Sequence, residues 1–175
     1  MVKPVRRIVT GHNTEGKSVI LQDGNAKNVF CPPHLPGVGL TDLWETEVPA
    51  SNVGEKDAAD RPFKLEPPAN GTVFRVVEFP PDASFTGDVA KIFEEMGSEH
   101  TRDKGKPRHP GFHKTKSTDY AIVLDGEIFA MMDEGETLMK PGDVLIQRGT
   151  NHSWSNRTNA PCRVAFILVD AEPLD

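Results

Sequence analysis

Short apolar runs broken by glycine-containing turns organise the C-terminal half of the chain. Ala121–Leu124, Ile128–Met132, Thr137–Lys140 and Asp143–Gln147 are β-prone, and Asp125–Glu127, Asp133–Glu136 and Pro141–Gly142 separate them. Runs of this length with turns at this spacing predict antiparallel strands of a barrel or sandwich. Arg163–Val169 is nearly all apolar, which predicts a central strand. Gly71–Phe79 alternates imperfectly, as a strand buried on both faces does. Upstream the pattern is weaker. Strands are predicted at residues 4–9 around Val5 and Ile8, at Ser18–Gln22 closed by a turn at Asp23–Gly24, at Asn28–Phe30 and within Val38–Glu47. Cys31–Gly37 reads as a stiff loop because its prolines fix φ and remove donors. Residues 48–70 read as irregular. One helix is predicted over 87–97, where Val89, Ile92, Phe93 and Met96 share a helical face. Thr86 or Asp88 is its candidate N-cap, and Gly97 stands at its expected end. The helix either packs on the barrel or covers its mouth. The pattern divides the chain into a barrel over 71–175 and a strand extension with an irregular linker over 1–70, packed on the barrel or on a partner subunit.

Composition narrows the classes. The 15 prolines and 15 glycines suit many short strands and turns rather than a helical bundle. The net charge of -6 argues against a nucleic-acid or anionic-membrane partner. No run approaches the roughly eighteen apolar residues of a membrane span. The basic start Met1–Arg7 is not followed by an apolar signal core. Cys31 and Cys162 lack metal-type spacing and read as reduced thiols. Together these lead us to expect a cytoplasmic protein.

Strand parity adds chemistry. Side chains at i, i+2, i+4 and i+6 share one face of a strand. His113, Thr115, Ser117 and Asp119 are therefore aligned if the segment is extended, together with Ala121 and Val123. That face points into a barrel. Polar groups entering an apolar interior need partners, which a metal, a bound ligand or a hydrogen-bonded barrel mouth would each provide. Trp154 shares parity with His152 and is either a cavity wall or plain core. Arg75, the one cation of its strand, is either a rim residue or an anchor for a substrate carboxylate. Ser117 and Thr115 are candidates for orienting a substrate. His100 and His109 read as solvated loop residues.

The central stretch carries two ordered motifs. His113, Asp119 and Gly126 stand at the spacings of a His, Glu/Asp and Gly signature, with Thr115 where a second His is usual and Pro107 where a Gly is usual. Gly142, Gly149, His152 and Asn156 match a second signature, with Gln147 in place of a Pro. The gap from Gly142 to Gln147 is one residue short of it. Over roughly residues 71–170 the chain resembles the cupin superfamily. The resemblance implies an all-β, cupin-type jelly-roll β-barrel, here with an N-terminal strand extension and one short helix. It also implies a homodimer and metal ligands at His113, Asp119 and His152. Two imidazoles and a carboxylate suit Fe(II), with Mn(II), Ni(II) or Zn(II) as further candidates. The expected substrate is a small organic acid or an aromatic or polyketide-like metabolite, and the expected chemistry is that of a decarboxylase, isomerase or dioxygenase. A non-catalytic small-molecule-binding cupin without a functional metal is the alternative.

Overall fold

The computed structural model describes residues 2–54 and 56–173. Eleven strands occur among them: β1 (Arg6–His12), β2 (Ser18–Asn25), β3 (Val29–Phe30), β4 (Gly39–Thr46), β5 (Thr72–Phe79), β6 (Ser117–Asp125), β7 (Ile128–Met132), β8 (Glu136–Met139), β9 (Val144–Arg148), β10 (His152–Ser155) and β11 (Cys162–Asp170). The single α-helix among the described residues, α1, spans Ala90–Glu95. A six-stranded sheet has the order β3-β4-β5-β11-β6-β9, and a three-stranded sheet the order β10-β7-β8. The strands β1 and β2 form a separate hairpin.

Parity explains how the two sheets share one core. In β6, Ser117, Asp119, Ala121 and Val123 are buried while the residues between them are not. In β11, Cys162, Val164, Phe166 and Leu168 join the main core; Ala165 packs on the opposite face with Val76 and Leu43. This second, smaller core is why β11 reads as uniformly apolar. From the three-stranded sheet, Ile128, Ala130, Met139 and Trp154 enter the main core, which therefore lies between the sheets. The β6–β7 turn requires glycine: Gly126 has φ +75°, and a Cβ there would lie 2.7 Å from the Pro161 carbonyl.

Three boundaries differ from the pattern-based expectation. Asp23–Gly24 is strand rather than turn: Asp23 pairs with Ile8 and Gly24 with Arg7 in the ladder, and the Asp23 carboxylate meets Arg6 at 2.7 Å on the exposed face. The hairpin turns earlier, where Asn13 Oδ1 accepts the N–H groups of Glu15 and Lys17. β6 starts at Ser117, so His113 lies in a loop and joins the sheets only through isolated bridges. α1 is shorter than 87–97. Asp88 Oδ1 accepts the Ala90 N–H at 2.9 Å, and Gly97, at φ +63°, follows its end. Cys31 and Cys162 are free thiols. No helix among the described residues is long and apolar enough to cross a membrane.

Candidate functional site

Backbone pairing brings two histidines together. His113 and His152 exchange both N–H···O bonds, each 2.9 Å, in an isolated antiparallel bridge. Residues paired in this way face each other with side chains on the same side. Their ring centroids are accordingly 4.3 Å apart. His113 Nδ1 lies 2.8 Å from the Gly111 carbonyl, and His152 Nδ1 lies 3.0 Å from the Thr150 carbonyl. A carbonyl only accepts, so both Nδ1 atoms carry the proton and both Nε2 atoms present a lone pair. Burial pushes both imidazoles toward the neutral form, and the neighbouring His113 lowers the His152 pKa further. Neutral imidazoles with oriented Nε2 lone pairs are the form that binds metal.

The parity row continues from this pair. Thr115, Ser117 and Asp119 are buried, and the Thr115 and Ser117 hydroxyls are 2.8 Å apart. Asp119 Oδ1 is buried without a hydrogen-bond partner. Burial raises the Asp119 pKa to about 6, against the opposing pull of Ser117 and Arg75. Among the described residues, no three His, Cys, Asp or Glu side chains are placed to hold an ion together. The three ligands the resemblance implies, His113, Asp119 and His152, are therefore not brought together, and the two imidazoles alone offer the kind of donor a divalent cation takes. The unpartnered carboxylate lines the same cavity but stands apart from them.

Arg75 is committed elsewhere. It is 2% exposed, its Nε lies 3.0 Å from Asp42 Oδ1, and its Nη atoms donate to the Lys64 and Leu65 carbonyls. Its guanidinium forms part of the cavity wall while most of its donors serve that wall.

A cavity of about 150 Å³ lies over these groups. Val77, Phe79, Phe166 and Leu168 form one side of it, and Trp154 closes on them. The Trp154 ring meets Phe166 edge-on at 5.2 Å, so it is both core and cavity wall. Ile92, Phe93 and Met96 of the α1 region form another side, and the Phe93 ring is 5.2 Å from His113. Apolar walls with a few converging polar groups are the usual form of a small-molecule site.

Two groups near the site are not evident in the sequence as members of it. His109, expected in solvent, has its Nδ1 2.6 Å from Ser153 Oγ. Asp82 accepts from the Ser155 hydroxyl and the Asn156 N–H. The signal for Asp82 is a contact across more than seventy residues, which no local pattern carries. His100 does stay largely exposed, paired with Glu66 at 2.9 Å.

Two facing antiparallel sheets around an apolar cavity, with two histidines among its lining, define a small β-barrel. The chain belongs to the cupin superfamily: the family model described as Cupin domain matches residues 101–169. It is 31% identical over 183 residues to phomopsin biosynthesis cluster protein C' of Diaporthe leptostromiformis, covering 97% of this chain and 80% of that protein. It is 30% identical over 181 residues to the cupin-domain-containing oxidoreductase virC of Hypocrea virens, covering 96% and 77%. The solved Schizosaccharomyces pombe Cnp3 cupin domain superposes with a TM-score of 0.46 at 14% identity, covering 94% of this chain and 87% of that one.

Proposed function

We propose that this protein is a cupin enzyme acting on a small, largely apolar secondary metabolite, with a divalent metal ion carried on His113 and His152. The observation behind this reading is the imidazole pair itself, neutral, with His152 buried and His113 half-buried, and aligned by two backbone carbonyls beside an apolar cavity. Relatives named for a biosynthesis cluster and as an oxidoreductase support the substrate class, and they favour oxygenase-type chemistry over decarboxylation or isomerisation. A bound Fe(II), Mn(II), Ni(II) or Zn(II) would supply Lewis acidity toward a carboxylate, enolate or phenolate oxygen.

The chain's own residues supply the rest. Phe93, Trp154 and Phe166 hold a planar substrate and exclude water. Thr115 and Ser117 orient its oxygen substituents. Asp119 Oδ1, which has no protein partner, takes a hydrogen bond from the substrate or completes the ion's ligand set by a rotation of its side chain. Arg75, paired with Asp42, braces the cavity wall. Residues 71–175 carry most of the binding barrel, and residues 1–70 complete it with β3 and β4 and extend it with the β1–β2 hairpin, in a cytoplasmic homodimer.

The test is thermal unfolding of metal-stripped protein with each ion added. An ion that binds only the folded state stabilises it by about 2.7 kcal/mol at one hundred times its Kd. We expect a rise in Tm in the parent, none in His152→Ala, and a larger one in Thr115→His, whose new imidazole would enter the same cavity. Failure of every ion to stabilise both the parent and Thr115→His would leave a metal-free binding barrel as the correct reading.

A further inference from the structure

A second polar cluster adjoins the imidazole pair, with His109 at its centre. Gly111 N–H is directed at His109 Nδ1, 3.2 Å away. A backbone N–H only donates, so the network assigns the lone pair to Nδ1 and the proton to Nε2. The Ser153 hydroxyl then also donates to Nδ1, at 2.6 Å, and Nε2 faces Asp82 Oδ2 at 3.7 Å. Asp82 is itself fixed by the Asn156 N–H at 3.0 Å and the Ser155 hydroxyl at 2.6 Å. This ties the loop that carries His109 to β10.

Gly111 links this cluster to the cavity. Its N–H is held by His109, and its carbonyl, on the other side of the same Cα, accepts the His113 Nδ1 proton at 2.8 Å. Turning Gly111 about either backbone bond would break one of these contacts. The residue also passes so close to β10 that an added Cβ would lie 2.9 Å from Ser153 Oγ.

Resting on the reading that the His113–His152 pair carries the chemistry, we propose that His109 is a positioning residue that fixes the tautomer and direction of His113 through Gly111. With His109 in place, the His113 proton is held on Nδ1 and the Nε2 lone pair faces the cavity. Without it, the Gly111 N–H loses its acceptor and the Gly111 carbonyl is held by nothing stronger than the Phe112 N–H of its own peptide plane, 3.4 Å from the His109 carbonyl, so His113 exchanges toward the form protonated on Nε2, which cannot bind a metal or accept a substrate proton there. Asp82 and Ser153 act one step further out, by holding the His109 ring.

The experiment reads the tautomer directly. Long-range proton–nitrogen NMR correlations of the imidazole rings, in metal-stripped protein near neutral pH, distinguish Nδ1–H from Nε2–H. We expect His113 to be Nδ1–H in the parent, to shift to Nε2–H or to an average in His109→Ala, and to recover in His109→Gln, whose amide oxygen can accept the Gly111 N–H. His109→Leu keeps the volume of the ring without an acceptor and makes the same test should the alanine variant not fold. Nickel(II) affinity, measured by calorimetry, should fall roughly 10- to 100-fold in the alanine or leucine variant, the usual cost of losing such support. An unchanged Nδ1–H signal in folded His109→Ala or His109→Leu overturns the proposal. A shifted tautomer in a protein that binds no Nickel(II) even as the parent supports the positioning role and instead rejects the metal.

Discussion

Asp119 holds a carboxylate in a wall made mostly of carbon, and its titration should be visible in stability. Burial raises its pKa from 3.8 to about 6 in the folded protein. Between those values the folded state keeps a proton that the unfolded chain has released, so stability falls as pH rises through the window and the loss is complete above it. His113 and His152 run the other way: their lowered pKa values cost stability as pH falls below about 6.5. Comparing Asp119→Asn with the parent cancels the histidine contribution. In metal-stripped protein the variant should gain up to about 3 kcal/mol on the parent between pH 4 and pH 8, the equivalent of a shift of roughly two units. Urea titrations at the two pH values check this, and a pH-independent difference would reject the charge-burial account. At this scale the burial of Ser117 and Asp119 on one face was legible because strand parity has a strict period of two, whereas His113 and Thr115 precede β6 and parity alone does not place them. The facing of His113 and His152 was not, because it depends on a bridge between segments nearly forty residues apart. Nor was the role of Arg75, whose fate is set by Asp42 on the neighbouring strand.

Among the elements, α1 is the helix whose apolar residues line the cavity. It has six residues, too few to be stable alone, so its apolar side chains must hold it in place. Phe93 does so while facing the cavity and the His113 ring. We expect Phe93→Ala to cost less than the roughly 3–5 kcal/mol typical of a fully packed core phenylalanine. It should weaken binding of a small aromatic acid more than it weakens the fold. Chemical unfolding and ligand titration on the same sample decide, and a full core-sized stability loss with unchanged binding would make α1 simple packing. The apolar spacing of Val89, Ile92, Phe93 and Met96 foretold the helix and its buried face. Its length was overestimated because helical hydrogen bonding begins only at Ala90, with no side-chain cap on Val89, and gives way to a turn before Gly97. The Asp23–Gly24 signal misled because turn propensity there yields to the β1 ladder, which runs on to Asn25 opposite Arg6.

The whole molecule leaves apolar surface uncovered. Phe74, Tyr120, Val144 and Ile146, on strands of the six-stranded sheet, are 38%, 42%, 58% and 50% exposed. The β1–β2 hairpin pairs with no other strand among the described residues and exposes Ile8 and Ile20 at 51% and 63%. Exposed strand edges and apolar patches of this kind are usually covered by a partner. Light scattering should therefore give about twice the 19.2 kDa chain mass, and Ile146→Asp should shift it toward the monomer. A monomeric parent at micromolar concentration would remove the dimer.

The placement of β11 bears on how this protein forms. It lies between β5 and β6, hydrogen-bonded to both, yet follows every other described strand in sequence. The halves of the six-stranded sheet thus have no shared ladder until it arrives. On the ribosome, β5 and β6 must wait with open edges and apolar faces for a segment synthesised some forty to ninety residues later. Such long-range closure slows folding and leaves the nascent chain open to aggregation, so yield in a foreign host should depend on chaperones more than the stability of the finished barrel would suggest.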